Sequence, residues 1–288
     1  MARSRPVDGF SLDYDRAGSG PPVLLLHGWP GSRADQREVA ALLRGDADVI
    51  VPDLRGFGAS DRHARPPAEA YSVDAQATSV WALADELGLE RPVISGYDVG
   101  SRTAQAMARR RPHDVRALVL SPPLPGIGPR ILEPEAQREF WYQPFHQLPL
   151  SEALVDGDAR AARAYLEHFW SHWSGPEWTP DPADLDALAA LYARPGAFVA
   201  SIAWYRAGAG SVAQSLAEQA PAPEDRLAVP TTVLWPAHDP LFPVAWSDRL
   251  DEFLSDVELH VLDGAGHFVP LEAPAAVAEA IRLRLESG

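Results

Sequence analysis

Apolar residues in this chain come in short blocks separated by longer stretches with helical spacing. Residues 23–26 (Val-Leu-Leu-Leu) and 49–51 (Val-Ile-Val) are unbroken apolar runs that soon give way to glycine or proline. Blocks at 93–94, 115–120, 231–235 and 259–262 repeat the pattern with little interruption. A strand with one solvated face alternates polar and apolar positions, so unbroken runs of this length predict strands covered on both faces. Residues 35–43, 73–87, 101–111, 244–254 and 275–285 carry the spacing of helices. Strands alternating with helices predict an α/β fold, a mostly parallel sheet with helices on both sides.

The alternation stops after Leu120. Residues 126–225 are rich in Trp, Tyr, Phe, His and Pro at helix-like intervals and contain no convincing strand. They are expected to form a helical cap inserted into a core made of residues 1–125 and 226–288, with Pro221-Ala222-Pro223 as the return linker. Open α/β sheets bind ligands beyond the carboxyl ends of their strands, so a cap there would enclose a pocket. No internal repeat is evident.

Composition narrows the function classes. The chain has 288 residues, 46% of them hydrophobic, enough for a full core. Asp and Glu number 40 against 25 basic residues, all arginine, for a net charge of −15. Nucleic acid and anionic membranes are poor partners for such a surface. Abundant Ala, Arg and Pro without lysine is the composition of a GC-rich bacterial genome. Cysteine is absent, which excludes disulfides and thiolate metal sites. Residues 1–20 lack the apolar core of a signal peptide, and no apolar run reaches membrane-spanning length, so the expected location is the cytoplasm.

Four motifs carry candidate chemistry. Asp98 stands in Gly96-Tyr97-Asp98-Val99-Gly100, between a predicted strand and a predicted helix. This is the setting of a nucleophile elbow, whose tight turn needs small flanking residues. An N-capping aspartate on an ordinary strand-loop-helix is the competing account. His27-Gly28-Trp29-Pro30-Gly31 follows the first predicted strand, and its Trp29 amide could join that of Val99 in an oxyanion hole. His267, in Gly264-Ala265-Gly266-His267-Phe268 after the last strand, is the candidate general base. Asp239, in Trp235-Pro236-Ala237-His238-Asp239-Pro240, follows another strand and could orient it. Asp98, Asp239 and His267 stand in the order nucleophile, acid, histidine.

On these motifs the chain resembles the α/β-hydrolase superfamily over nearly its whole length. With aspartate at the elbow it is most similar to the branch of epoxide hydrolases, haloalkane dehalogenases and haloacetate dehalogenases. Asp53-Leu54-Arg55-Gly56-Phe57-Gly58-Ala59-Ser60-Asp61 also matches a superfamily loop, read here as structural. The resemblance implies two cap tyrosines that donate hydrogen bonds to an epoxide oxygen. Trp204-Tyr205-Arg206 resembles the segment of the second, and Tyr142 is the candidate for the first, with Tyr165 and Tyr192 as alternatives. Haloalkane dehalogenases typically carry Trp after the nucleophile, where this chain has Val99. Arg102 matches one of two carboxylate-binding arginines of haloacetate dehalogenases, and Val99 again stands where the other belongs.

The expectation is therefore an epoxide hydrolase that forms an alkyl ester on Asp98, then a vicinal diol, without cofactor or metal. Its reactants would be a small apolar epoxide and water, and the protein a monomer or homodimer. The alternatives are a haloacetate or haloalkane dehalogenase, another hydrolase, or a non-catalytic ligand-binding member of the fold.

Overall fold

Eight strands form one sheet. They are β1 (Ala2–Arg3), β2 (Asp13–Gly18), β3 (Pro22–Leu26), β4 (Asp48–Pro52), β5 (Val93–Gly96), β6 (Ala117–Leu120), β7 (Thr231–Pro236) and β8 (Val257–Leu262). The computed structural model describes residues 2–287. Strand order is β1-β2-β4-β3-β5-β6-β7-β8; β3 to β8 run parallel, and β1 and β2 are antiparallel additions at one edge.

Helices α1 (Arg37–Leu43), α2 (Pro67–Ala70), α3 (Val73–Leu87) and α4 (Val99–Arg110) lie between the early strands, and α12 (Val269–Glu272) and α13 (Pro274–Glu286) close the chain. Side chains alternate across each strand. Leu24, Leu26, Ile50, Ile94, Leu118 and Leu120 pack in one layer with Val80, Leu83 and Ala84 of α3 and Met107 of α4. Val23, Leu25, Val49, Val93 and Val119 pack in the other with Val39 and Leu43 of α1 and Val277 and Ile281 of α13. Both faces are thus apolar, as the unbroken runs required. Ser72 caps α3 by accepting the Ala75 N–H, and Gly88 ends it at φ 66°. Such an N-cap is worth about 1 kcal/mol.

Between β6 and β7 come α5 (Pro134–Glu139), α6 (Tyr142–His146), α7 (Pro149–Val155), α8 (Ala159–His172), α9 (Pro182–Tyr192), α10 (Ala197–Arg206) and α11 (Ser211–Ala217), with no strand among them. No single helix among the described residues is long and apolar enough to cross a membrane.

Three expectations about elements need correction. β2, with sequence Asp-Tyr-Asp-Arg-Ala-Gly, was invisible as an apolar run because only Tyr14 is buried along it. β8 is not covered on both faces: it is the outer strand, and Leu259 and Val261 are exposed. Residues 244–252 form a 3₁₀ segment, not an α-helix, with Arg249 outside helical geometry.

Register brings the loops together. Leu26 of β3 pairs with Gly96 of β5, so the turns that follow them emerge side by side. Pro236 of β7 pairs with Leu262 of β8, which does the same for the Asp239 and His267 loops.

Candidate active site

β5 ends at Gly96 and α4 begins at Val99, so Tyr97 and Asp98 must make the turn. Asp98 does so at φ 49°, ψ −118°, a conformation that typically costs an L residue about 1–3 kcal/mol. Glycine is obligatory on both sides: a Cβ on Gly96 would lie 2.5 Å from the Gly100 carbonyl, and one on Gly100 would lie 2.4 Å from Leu26 O. Asp98 makes no capping hydrogen bond to its helix. Its Oδ1 instead accepts the Trp29 N–H at 2.7 Å. The N-capping account therefore fails, and the Gly28 turn brings the Trp29 amide onto the Asp98 carboxylate. Gly28 has no room for a side chain either, since a Cβ would sit 2.7 Å from the Asp98 Cβ.

His267 Nδ1 lies 2.8 Å from Asp239 Oδ2, and Asp239 Oδ1 accepts the Leu241 N–H at 2.8 Å. The other ring nitrogen, Nε2, is 3.6 Å from Asp98 Oδ2 and has no hydrogen-bond partner. All three side chains are buried. Burial pulls the His267 imidazolium down, but the Asp239 and Asp98 carboxylates outweigh it and lift the group to about 10. His260, by contrast, pairs with Glu258 on exposed β8.

Against Trp29, whose amide binds Asp98, stands an aromatic wall. The Tyr142 ring stacks on the Trp29 indole at 5.4 Å and 7°, and the Tyr205 ring meets both edge-on at 5.5 Å. Burial raises both phenols well above their ordinary range, so they are neutral donors at any physiological pH. Tyr205 Oη has no hydrogen-bond partner. Tyr165 is bonded to His146 (3.0 Å) and Tyr192 to the Gly31 backbone (3.1 Å), leaving Tyr142 as the tyrosine beside Tyr205.

Arg102 sits one helical turn after Asp98, its N–H on the Asp98 carbonyl at 3.2 Å, but its side chain faces a different cavity. It lines a groove of about 630 Å³ with Arg109, Gln214, Glu218 and Arg226, which contains none of the residues above. The Asp53 loop is a packed turn: the Asp53 carboxylate accepts the Arg33 and Ala59 amides and pairs with the Arg33 guanidinium.

Two supporting groups escaped the sequence reading. Gln143 accepts the Val212 N–H through Oε1 (3.1 Å), which turns its Nε2 to donate to Tyr142 Oη (3.2 Å) and leaves the Tyr142 hydrogen free to point elsewhere. Asp35 accepts the Tyr97 hydroxyl at 2.6 Å and the Ser32 N–H at 3.2 Å beside the oxyanion turn. The Ser32–Asp35 contact is half of a capping box that Ser32-Arg33-Ala34-Asp35 spells out locally, whereas the Tyr97 and Val212 contacts have no local sequence signal.

Burial raises the Asp35 carboxyl to about 7. Its folded value exceeds its unfolded one, so its contribution to stability is complete below the unfolded value and lost as pH rises through about 7. Asp35→Asn, whose amide oxygen can take both donors, should therefore lose less thermal stability than wild type as pH rises from about 4 to about 7. Parallel calorimetric Tm curves for the two proteins across that interval would refute this.

An aspartate on a strand-to-helix turn, facing a histidine–aspartate pair and the Trp29 amide, invites comparison with known proteins. The model of the alpha/beta hydrolase fold matches residues 21–274. The chain belongs to this family. The hydrolase is 28% identical to the soluble epoxide hydrolase of Corynebacterium sp. (strain C12), over 95% of this chain and 93% of that one. It is 31% identical to a fluoroacetate dehalogenase of Burkholderia sp., over 70% and 67% of the two chains. A Bacillus megaterium epoxide hydrolase, solved with an inhibitor, superposes with TM-score 0.80 over 98% of this chain and 99% of its own; at 21% identity this speaks for the fold alone.

Proposed function

We propose that this hydrolase opens epoxides to vicinal diols through an alkyl ester on Asp98, with residues 126–225 forming a cap between core segments 1–125 and 226–288. The observation that carries the reading is the Asp98 carboxylate itself, one oxygen on the Trp29 amide and the other toward His267, with the Tyr142–Tyr205 pair against Trp29. A carboxylate is a poor acyl nucleophile beside an activated serine but a competent one toward saturated carbon.

In the first step Asp98 Oδ2 attacks an epoxide carbon in line with its C–O bond. The ring oxygen takes the pair from the broken bond and a proton from Tyr142 or Tyr205, and solvent returns a proton to that phenolate, which burial keeps neutral at rest. Gln143, by donating to Tyr142, leaves that phenol only its donor role toward the substrate. In the second step His267, which gives up its proton to solvent once the Asp98 charge is gone, takes a proton from water, whose oxygen adds to the Asp98 carboxyl carbon. The Trp29 and Val99 amides hold the oxyanion and Asp239 stabilises the imidazolium, and on collapse the C–Oδ2 bond breaks, Oδ2 takes the imidazolium proton and the diol leaves.

Conversion of Asp98 to an ester removes one of the two charges that hold His267 protonated. The base is thus released by the step that precedes the one needing it. Ester hydrolysis should rise with pH through a midpoint below about 10, while ester formation, which does not use His267 as a base, should not follow that rise. Stopped-flow fluorescence from pH 5 to 9 would separate the two, and identical pH profiles would contradict the assignment. Tyr205→Phe and Tyr142→Phe should each slow ester formation by roughly 10²-fold, the usual scale of a lost general acid.

The experiment that tests the reading is diol formation from aliphatic and aryl epoxides, analysed by mass spectrometry in heavy-oxygen water. The fluoroacetate dehalogenase among the relatives keeps a second reading in view, and a halide electrode with haloacetate and haloalkane substrates decides between them.

A further inference from the structure

Glu272 is the last residue of α12, and its side chain turns back onto the histidine loop. Oε2 accepts the Gly266 N–H at 2.7 Å and Oε1 the Phe268 N–H at 2.9 Å, so the carboxylate grips both neighbours of His267. The same Oε2 accepts the Gly175 N–H at 2.7 Å. Gly175 lies between α8 and α9, in the helical stretch inserted after β6. The Trp173 carbonyl in that stretch receives the N–H of His267 itself at 2.8 Å. The two backbones touch: a Cβ on Gly266 would lie 2.3 Å from Gly175 N and 2.4 Å from Trp173 O, and one on Gly175 would lie 2.4 Å from Gly264 O.

A simple loop staple needs one neutral hydrogen bond. Here a partly buried carboxylate collects three, from both sides of the base and from the inserted helices at once. Hydrogen bonds to a charged acceptor are the stronger kind, and while two of the three hold the His267 loop itself, the third ties that loop to the inserted helices. Its charge also faces the imidazole. The ionisable groups around His267 are Asp98, Asp239, Glu272 and the Tyr97 phenol, whose ring centroid is 6.0 Å away. Once Asp98 is an ester, Asp239 and Glu272 are the carboxylates left to stabilise the imidazolium.

We infer that Glu272 is a positioning residue that couples the seating of the cap to the placement of His267, and thereby governs ester hydrolysis and not ester formation. The inference rests on the two-step reading above. Formation uses Asp98, the tyrosines and the Trp29 amide, none of which touches Glu272; hydrolysis uses His267, held on both sides by it.

Single-turnover stopped-flow on full-length Glu272→Gln and Glu272→Asp provides the test. In Glu272→Gln, ester formation should stay within about twofold of wild type. Hydrolysis should slow by roughly tenfold or more, the equivalent of one lost charged hydrogen bond. Its pH midpoint should also move lower, because a negative charge beside the imidazolium is gone. Glu272→Asp keeps the charge but cannot span all three amides, so its hydrolysis should slow with the midpoint unmoved. Equal slowing of both steps, or unchanged hydrolysis, would overturn the inference. If Glu272→Gln does not fold, the aspartate variant decides alone by the same split. Failure of the two-step reading looks different: no ester would form in wild type or in His267→Gln, which would overturn both.

Discussion

Replacing His267 by glutamine leaves a protein that reacts once with its substrate and then stops. Glutamine fills a similar volume but cannot take a proton from water. Asp98 keeps its nucleophilic oxygen, its contact with the Trp29 amide and the two phenols against Trp29. Ester formation therefore proceeds, and hydrolysis falls by about 10³-fold, within the range of a lost general base. Intact-protein mass should rise by the mass of one epoxide, and peptide mapping should find the increment on the peptide that contains Asp98. A variant that is inactive and carries no adduct would remove the covalent step from the mechanism.

The second large effect is at Asp98. Asn tolerates positive φ better than most residues, and its amide oxygen can still accept the Trp29 N–H, so Asp98→Asn should fold with a Tm close to wild type. Without an ionised oxygen it cannot attack carbon, and turnover should fall by at least about 10⁴-fold, the loss of a complete covalent pathway. It should also show no mass adduct, and the His267 imidazolium, having lost one of its carboxylates, should titrate below about 10 by nuclear magnetic resonance. The mass of the intact variant verifies that the amide survives the assay. Residual activity near wild type with the amide intact would mean that Asp98 is not the nucleophile.

The parallel core was legible because β3 to β7 are covered on both faces, and such strands write themselves as unbroken Val, Leu and Ile. β2 was not, because a strand next to the sheet's edge with one buried side chain in six residues leaves no pattern. β8 was read as buried because its Leu and Val are the residues of an inner strand, although it lies at the sheet's edge. The loops that carry Asp98, Trp29, Asp239 and His267 could be singled out because each follows a strand, and register makes neighbouring strand ends meet. Tyr142 could not be separated from Tyr165 and Tyr192 in sequence: all three lie on inserted helices, and which ring lies against Trp29 depends on how those helices pack. Gln143, Glu272 and the link from Asp35 to Tyr97 were silent for a related reason. Their partners include backbone amides at Val212 and Gly175 and the hydroxyl of Tyr97, all distant in sequence.

The Trp29 amide already holds Asp98 Oδ1 before any substrate arrives. In the proposed cycle Oδ2 leaves within the diol and a solvent oxygen takes its place, while Oδ1 remains in the hole throughout. The enzyme thus gives each product an oxygen acquired one turnover earlier, and the other carboxylate oxygen is a permanent resident unless the group flips. After transfer to heavy-oxygen water the first diol per enzyme would be light and later ones heavy. A second label on Asp98 would appear only as fast as the carboxylate rotates, so the delay between the two labels is a clock for that rotation.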